Sequence, residues 1–394
     1  MVTTSTAASR IASTLAPFGS SVFTEMSQLA RQYNAVNLGQ GFPDFDGPAF
    51  LKEAAYRAIR EGHGQYARSF GVPELNAAIA ARFARDTGLT VDPDREITVT
   101  AGCTEAIAAT MLGLLERGDE VILIEPFYDS YPATIAMAGA TVRSVTLRAP
   151  HFALDIERLR AAVTDRTRMI LVNTPHNPTG RVFTMEELEA IAAICRERDL
   201  ICVSDEVYER LVFDGRHISI ATLPGMRERT VTLSSLGKTY SFTGWKIGWA
   251  IAPPSLTAGV RAAHQFLTFC APTPLQVAAA EALRTGEEYD RTFLAEYRAR
   301  RDLMVEGLRS AGFDVFVPAG TYFVMCDHGR FGFEDDVSFC RHLVRELGVA
   351  AIPPGSFYVD RREGARLVRF AFCKRDETLH AAIERMRPLR ERIR

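Results

Sequence analysis

The chain has 394 residues, of which 47% are hydrophobic, and its formal net charge at pH 7 is −2. This length can bury a large core and divides into two domains of ordinary size. The basic residues are scattered and the net charge is small, which excludes the electrostatic footprint of a nucleic-acid-binding or membrane-surface protein. We therefore expect neither a nucleic-acid partner nor a membrane partner.

The seven cysteines are spread singly along the chain, and no C-x-x-C pair occurs. This odd, scattered set predicts reduced thiols and a cytoplasmic location, with no disulfide framework and no metal site. No apolar run reaches the roughly twenty residues that a membrane helix needs. The stretch over 1–21 lacks acidic residues, which faintly resembles a transit peptide. A loose N-terminal arm is the favoured interpretation.

Short β-rich runs alternate with helical stretches from about residue 95 onward. The predicted strands are "EITVTAG", "EVILIEP", "TRMILVNTP", "LICVSDEVY", "TVTLSS" and "IGWAIAP", and helical patterns such as "TMEELEAIAAICRERD" lie between several of them. Several strands are nearly all apolar, as burial on both faces requires. The pattern predicts an α/β fold with a mainly parallel sheet and helices on both of its faces.

A second, smaller unit is expected from the two ends of the chain. One long helical stretch from Pro274 to about Ser310 closes the alternating region, and an α+β-like segment follows it. The first fifty residues are loop-rich and helix-poor. We predict a large domain over 50–285, a C-terminal small domain over 286–394, and an N-terminal arm over 1–49 that contributes to the small domain.

Polar and aromatic side chains follow five successive predicted strands. In an open parallel sheet, ligands collect at the carboxyl ends of the strands, so these groups are expected to meet at one edge. Each has an ordinary structural explanation when it is taken alone, such as a turn glycine, a helix cap or a surface lysine. Their joint occurrence at one edge is harder to explain structurally. The residues are Gly102, Cys103 and Thr104, then Phe127 and Tyr128, His176 and Asn177, Asp205 and Tyr208, and finally Lys238.

This combination of residue types suits one chemistry. A lysine that attacks an aldehyde forms a Schiff base, and pyridoxal phosphate carries such an aldehyde on a pyridine ring. A buried carboxylate favours protonation of the ring nitrogen, while a helix N-terminus with small residues can hold the phosphate. An aromatic side chain can stack on the ring, and amide or phenol groups can contact its phenolic oxygen.

Four motifs carry a family resemblance that covers nearly the whole chain. In chain order, "NTPHNPTG", "SDEVYE", "SSLGKTYSFTGWKIGW" and "LVRFAFCKRDETL" resemble the class I/II aminotransferases, which have the fold type I of aspartate aminotransferase. "NLGQGFPDFDGP" and "DEVILIEPFYDSY" further resemble the branch of kynurenine/glutamine, methionine and N-succinyldiaminopimelate aminotransferases. The resemblance implies a pyridoxal 5'-phosphate enzyme with a large domain and a smaller α+β domain.

The resemblance also implies how the cofactor is held. Lys238, Asp205 and Tyr208 would be the catalytic residues: Lys238 bonds the cofactor and moves the proton, while Asp205 pairs with the ring nitrogen. Tyr208 and Asn177 would contact the phenolic oxygen, and Phe127 would stack on the ring. The phosphate would be bound by the backbone amides of Cys103 and Thr104, the side chains of Ser235 and Lys246, and Tyr66 from the neighbouring subunit. Lysine in place of the more common arginine at 246 fits the kynurenine-type branch.

Substrate contacts follow from the same resemblance. Arg369 would bind the substrate α-carboxylate through a two-pronged contact, with Asn177 and the backbone of Gly41 close by. The side-chain pocket would be lined by Phe23, Tyr66, Phe127 and, from the other subunit, Phe269, which implies a homodimer with shared sites. His176 is interpreted as an exposed turn histidine without chemistry. Arg68 is either a solvated charge or a contact for a distal substrate group.

The predicted reaction moves the α-amino group of an L-amino acid to a 2-oxo acid by a ping-pong mechanism through Lys238. An aromatic, largely uncharged pocket favours methionine, aromatic amino acids, kynurenine or glutamine. N-succinyldiaminopimelate transamination and cysteine-S-conjugate β-lyase activity are alternatives at the same site. A non-catalytic sensor that binds pyridoxal phosphate is a remote alternative, because the catalytic residues are present and no DNA-binding extension is apparent.

Overall fold

The computed structural model describes residues 11–19, 22–285 and 287–393. Its centre is a seven-stranded sheet with the strand order β2-β8-β7-β6-β5-β3-β4. The strands are β2 (Ile97–Ala101), β3 (Glu120–Glu125), β4 (Thr141–Thr146), β5 (Thr167–Asn173), β6 (Ile201–Asp205), β7 (Thr230–Ser235) and β8 (Ile247–Ile251). The predicted α/β fold is confirmed. The strand β4, which is half-exposed and was not predicted, lies at one edge.

Strand direction divides the sheet into two parts. The strands from β4 across β3, β5 and β6 to β7 are parallel to their neighbours, whereas β8 is antiparallel to both β7 and β2. The carboxyl ends of β5, β6 and β7 therefore open on the same edge. The short connection between β7 and β8 contains the four-residue helix α8 (Leu236–Thr239), which is too short for a parallel crossover.

Both faces of the sheet are covered by hydrophobic side chains. Ile122 and Ile124 of β3 face one buried cluster, while the intervening Leu123 faces another, as the two-residue period of a strand dictates. The helices of this part are α2 (Ala49–Arg60), α3 (Pro73–Thr87), α4 (Gly102–Leu114), α5 (Ser130–Met137), α6 (Ile156–Ala162), α7 (Met185–Glu197), α9 (Pro254–Leu267) and α10 (Thr273–Thr285). A capping box of Thr184 and Glu187 begins α7.

The two ends of the chain meet in a second structural unit. Strand β1 (Val36–Asn37) pairs in parallel with β11 (Val349–Ala350), and a three-stranded antiparallel sheet contains β9 (Asp314–Phe316), β10 (Phe323–Asp327) and β12 (Leu367–Ala371). The helices are α1 (Val22–Gln32), α11 (Glu287–Ser310), α12 (Asp336–Leu347) and α13 (Asp376–Met386). The domain boundaries themselves stay a prediction.

One sequence expectation differs from the structure here. The first fifty residues are not helix-poor, because α1 has 11 residues and buries Met26 and Ala30. The helical stretch predicted from Pro274 to about Ser310 corresponds to α10 and α11, which lie on either side of residue 286, outside the described residues. The expectation of a loose N-terminal arm falls partly on residues 1–10, which lie outside the described residues.

Candidate active site

A cavity of about 420 Å³ lies at the carboxyl ends of the central strands. It is bounded by residues from β5, β6 and β7, by the first turn of α4 and by segments from both chain ends. The structure brings together most of the side chains singled out in the sequence. Those that line the cavity are Phe23, Gly41, Gly102, Cys103, Thr104, Asn177, Asp205, Tyr208, Ser235, Lys238, Lys246 and Arg369.

The structure places Tyr128, and not Phe127, at the cavity. The ring of Phe127 is 5% exposed and packs in the core between the sheet and α4, away from the cavity, and its backbone N–H donates to the carbonyl of Phe357 at 2.9 Å. Tyr128, one residue further on, lines the cavity. The expectation that Phe127 stacks on the cofactor ring and lines the side-chain pocket therefore passes to Tyr128.

Tyr66 and Phe269 lie outside the cavity of their own chain. Their rings form an edge-to-face pair with centroids 5.1 Å apart. Tyr66 is 83% exposed and Phe269 is 37% exposed, so both rings are partly open to solvent. Arg68 is also absent from the cavity lining, because its guanidinium contacts the Asp94 carboxylate and the Gly71 carbonyl, both at 2.8 Å.

His176 is not an exposed turn histidine, which corrects the sequence interpretation. Its side chain is 1% exposed, and Nδ1 lies 2.8 Å from the Thr179 hydroxyl. Burial, together with the neighbouring Arg181 guanidinium, lowers the pKa of His176 to about 3, so the imidazole is neutral. It stabilises the turn after β5 and does not line the cavity.

The first turn of α4 forms one end of the cavity. Gly102 begins the helix with φ of +76°, a conformation that favours glycine, and a Cβ there would lie 3.1 Å from Nζ of Lys246. Gly248 lets β8 approach closely, since a Cβ on it would lie 2.5 Å from the Cys103 amide nitrogen. Free backbone N–H groups and a lysine ammonium therefore converge where a phosphate dianion fits.

Asp205 is the buried carboxylate of the site. Its Oδ2 accepts from the Tyr131 hydroxyl at 2.7 Å, and Oδ1 accepts from the Val207 N–H at 3.2 Å. Burial raises the pKa of Asp205, while the Tyr131 and Val207 hydrogen bonds and the positive charge of Lys238 lower it. A carboxylate in this environment is stabilised further by any protonated ring nitrogen that approaches it.

Lys238 lies on α8, directly after β7. Its Nζ is 3.5 Å from the Gly41 carbonyl oxygen and 5.7 Å from the ring centroids of both Tyr208 and Tyr322. Burial lowers the pKa of Lys238, with a smaller contribution from Lys246, whereas Asp205 and the nearby thiols raise it. A lysine that loses its proton more readily is a better nucleophile and a better base.

Arg369 lies on β12 and reaches the cavity from the second unit. Its Nη1 donates to Oδ1 of Asn177 at 3.0 Å and Nη2 donates to the Gly39 carbonyl at 2.8 Å, while the buried Nε has no partner. The side chain is 1% exposed, and burial lowers its pKa to about 10. Within the part of the chain that the structure describes, no carboxylate lies within ion-pair distance of this guanidinium.

Sequence reasoning missed several residues around the cavity. Tyr131 lies in the same motif as Phe127 and Tyr128, but its hydroxyl meets Asp205 through the packing of α5 beside β6, which the motif does not indicate. Gln40 and Asp129 lie in motifs quoted for the family resemblance, but their residue types gave no sign that they line the cavity, and Phe323 comes from the second unit. The additional lining residues include Gln40, Phe42, Ile107, Asp129, Tyr131, Asn173, Val207, Gly237, Thr243, Ile247 and Phe323.

The residues present fit pyridoxal phosphate. The glycine-lined helix N-terminus suits its phosphate, the Asp205 carboxylate suits its ring nitrogen, and Lys238 lies in the same cavity for its aldehyde. Among the described residues, no group of histidine, cysteine and carboxylate side chains is arranged to hold a metal ion. None of the helices in the described ranges is long and apolar enough to cross a membrane.

Fold and site together define a pyridoxal-phosphate-dependent enzyme with the aspartate aminotransferase fold. The profile described as "Aminotransferase class I and II" matches residues 33–386. The chain belongs to this family, and it is an aminotransferase that uses pyridoxal phosphate.

Individual relatives place the chain within the predicted branch. A solved N-succinyldiaminopimelate aminotransferase from Mycobacterium tuberculosis is 49% identical, with a TM-score of 0.94 over 96% of this chain and 100% of that chain. A methionine aminotransferase from Escherichia coli is 42% identical over 96% of this chain and 98% of its own length. Kynurenine–oxoglutarate transaminase 1 from Homo sapiens is 37% identical over 93% of this chain and 94% of its own length.

Proposed function

We propose that the chain transfers the α-amino group of an L-amino acid with an uncharged side chain to a 2-oxo acid. Methionine, aromatic amino acids, kynurenine and glutamine are the proposed donors, and the reaction proceeds by a ping-pong mechanism through Lys238. The observation that carries the proposal is the pairing, in one cavity, of the half-buried Lys238 with the buried Arg369, which has no carboxylate within ion-pair distance among the described residues.

Arg369 is the proposed anchor for the α-carboxylate. Its guanidinium is already desolvated and held by the Asn177 amide and the Gly39 carbonyl, so little is lost in ordering it when an anion arrives. A carboxylate that enters the cavity can accept charge-assisted hydrogen bonds from the guanidinium, which lines the cavity. This contact directs the substrate α-carbon toward Lys238.

Lys238 is the proposed proton carrier. Bound pyridoxal phosphate supplies an electron sink for the charge that develops at the substrate α-carbon. The neutral Nζ amine, favoured by the lowered pKa, accepts the α-proton and returns a proton on the other side of the transferred amino group. Asp205 keeps the ring nitrogen paired, while Tyr208 and the amide of Asn177 hold the phenolic oxygen.

The side-chain end of the cavity supports an uncharged donor. Phe23, Tyr128 and Phe323 line it, and within the described cavity the cationic side chains are Lys238, Lys246 and Arg369. All three already have proposed partners in the cofactor or the α-carboxylate. A dicarboxylic substrate would need a further guanidinium aimed at its distal carboxylate.

We further infer a cytoplasmic homodimer with shared sites. The exposure of the Tyr66 and Phe269 rings is explained if each pair enters the cavity of a second copy, where Tyr66 reaches the phosphate and Phe269 the side-chain pocket. Phe266, three residues before Phe269 in the sequence, is 90% exposed. The seven free cysteines support a reducing compartment.

N-succinyldiaminopimelate transamination is the second candidate. It is favoured by the 49% identity to the Mycobacterium tuberculosis enzyme over nearly the whole of both chains. The anionic succinyl group would then have to be bound by residues outside the cavity lining of one chain. Arg68, which lies two residues from Tyr66 in the sequence, is the proposed contact from the neighbouring subunit.

A half-reaction screen tests this proposal. Purified holoenzyme is mixed with each L-amino acid in the absence of an acceptor, while the absorbance of the bound cofactor is followed and the released oxo acid is identified. We expect a spectral change and the matching oxo acid with methionine, phenylalanine, kynurenine or glutamine. The variant Lys238→Ala, purified in the same way, is the matched control and should release no oxo acid.

Other outcomes distinguish the alternatives. A response confined to N-succinyldiaminopimelate would replace the first candidate by the second. Release of pyruvate and ammonia from cysteine conjugates would assign β-elimination to the site. If the holoenzyme releases no oxo acid from any of these compounds, the proposed transamination is contradicted.

A further inference from the structure

Tyr131 contacts the site from α5 and had no role in the sequence interpretation. We propose that Tyr131 is a positioning residue whose hydroxyl keeps the Asp205 carboxylate ionised and oriented toward the ring nitrogen of pyridoxal phosphate. This inference rests on the proposed function, because it concerns how one carboxylate of that site is held.

The hydrogen bonds around Asp205 fix the plane of its carboxylate. Tyr131 Oη donates to Oδ2 at 2.7 Å, and the Val207 N–H donates to Oδ1 at 3.2 Å. The thiol of Cys103 lies 3.8 Å from Oδ1. The tyrosine bond is the shortest of these contacts and the only one to Oδ2 among the contacts of the described residues, so its loss would free one half of the carboxylate.

The fold explains why these two residues meet. Ile201 and Val203 of β6 face the cluster that α4 and α5 cover, and Asp205 has the same parity on the strand. Tyr131 is the second residue of α5, belongs to that cluster and is 2% exposed. Its ring packs edge-to-face against Tyr128 with centroids 5.6 Å apart, so the hydroxyl cannot turn away without disturbing the cavity wall.

Electrostatics give this contact a chemical consequence. Burial raises the pKa of Asp205 and so favours its neutral form, whereas the Tyr131 hydrogen bond opposes that effect by stabilising the charged form. A neutral Asp205 could not stabilise a protonated ring nitrogen. Removing the hydroxyl should therefore move the shared proton from the ring nitrogen toward the carboxylate.

The test is Tyr131→Phe, which removes one oxygen atom and keeps the ring. Apoenzyme is reconstituted with pyridoxal phosphate labelled with ¹⁵N in the ring, and the ¹⁵N chemical shift, the dissociation constant of the cofactor and the melting temperature are measured. We expect the ¹⁵N signal to move toward that of unprotonated pyridine. We also expect cofactor affinity to fall roughly tenfold, as is typical for the loss of a hydrogen bond to a charged group.

Tyr240→Phe is the matched control. Tyr240 is 1% exposed, and its hydroxyl accepts from Arg82 and donates to the Ala282 carbonyl, both at 2.9 Å. It does not line the cavity. This variant loses a buried tyrosine hydroxyl elsewhere, so a lower melting temperature with an unchanged ¹⁵N shift separates a general structural effect from the proposed one.

The outcomes are decisive in each case. A folded Tyr131→Phe protein with the wild-type ¹⁵N shift and affinity overturns the proposal. If Tyr131→Phe does not fold, Tyr131→3-fluorotyrosine supplies a more acidic phenol and a stronger donor, and the pH at which the ¹⁵N signal moves to the unprotonated form must rise. An unchanged transition pH then overturns the proposal. Failure of the wild-type protein to bind the labelled cofactor would instead contradict the proposed function.

Discussion

Two regions that contribute to the proposed site differ in their exposure to solvent. We call the first the strand-end wall, formed by Asp205, Tyr208 and Lys238, where Asp205 and Tyr208 are 4% and 3% exposed. The second is the Tyr66–Phe269 pair, which is largely exposed and lies outside the cavity of its own chain. The residues of the wall are therefore covered by the rest of their own chain, whereas the two rings of the pair stay open to solvent.

This difference teaches which parts of the site a single chain can specify. Buried polar groups on the wall have hydrogen-bond partners within the chain, as their burial requires. The aromatic pair has no such requirement until another surface covers it. We expect a substitution in the wall to affect the active site of the chain that carries it. A substitution in the pair should instead affect the active site of the neighbouring subunit.

The largest effect is expected from Lys238→Ala. The wall then lacks both the covalent attachment point and the proton carrier, and turnover should fall by at least about ten-thousand-fold. Steady-state rates and the pH-dependent absorbance of the bound cofactor measure the loss. Near-normal turnover in this variant would remove Lys238 from the mechanism.

Asp205→Asn should have the next largest effect. The amide keeps the size of the side chain but loses the charge that favours ring-nitrogen protonation, so kcat should fall by about a hundredfold or more. Single-turnover kinetics with a saturating amino acid give this value. A loss of cofactor affinity alone, at unchanged kcat, would limit Asp205 to binding.

Arg369→Lys should mainly weaken substrate binding. Lysine keeps the charge but not the forked geometry, and KM should rise by roughly ten- to a hundredfold for every donor, with a smaller change in kcat. Kinetics with several amino acids check this expectation. An unchanged KM would contradict the role of Arg369 as the α-carboxylate anchor.

Mixing two variants tests whether Tyr66 serves the active site of the neighbouring subunit. Tyr66→Ala should weaken the phosphate contact of the neighbouring site, and Lys238→Ala inactivates its own site. When the two proteins are mixed and allowed to exchange subunits, half of the dimers carry one native site, so activity should recover to roughly a quarter of the wild-type value. A mixture no more active than its components would show that the sites are not shared.

The smallest effect is expected for the free energy of unfolding, at a histidine that contacts α4, the helix whose first turn forms one end of the cavity. His264 is 1% exposed, and its Nδ1 lies 2.7 Å from Glu105 of α4. Burial lowers the pKa of His264, but the hydrogen bond and charge of Glu105 outweigh it, so the folded-state pKa lies above 6.5. The stabilisation is therefore complete below pH 6.5 and is lost as pH rises through the folded-state value.

His264→Gln measures this contribution. We expect it to lower the free energy of unfolding by about 1–3 kcal/mol near pH 6 and by less near pH 9. The exposed His380→Gln is the control. An equal loss at both pH values would mean that the imidazole contributes through packing rather than through its charge.

The sequence predicted those parts of the fold that depend on local pattern. Apolar strands separated by helices indicated the parallel sheet, and the residues after each strand indicated the cavity, because both follow from strand geometry. The half-exposed edge strand β4 lacked a strong pattern. Helix α1 was missed because much of its surface is polar and only Met26 and Ala30 are buried.

The finer errors at the site have a common physical cause. Phe127 and Tyr128 differ by one position, and the direction of each side chain after a strand depends on backbone angles that residue type alone does not fix. His176 resembled a surface turn residue, although the turn itself is covered by other segments. Tertiary packing, rather than local preference, determined both positions.

The buried guanidinium of Arg369 has a consequence for selectivity. Every L-amino acid presents the same α-carboxylate, so the free energy of this contact is common to all donors and cancels in the ratio of their kcat/KM values. Discrimination must therefore arise from the remainder of the cavity, where apolar contacts differ by only about 1–3 kcal/mol per methylene. With Arg369 in its proposed role as the α-carboxylate anchor, we expect the enzyme to accept amino acids as a class and to discriminate only weakly among their side chains.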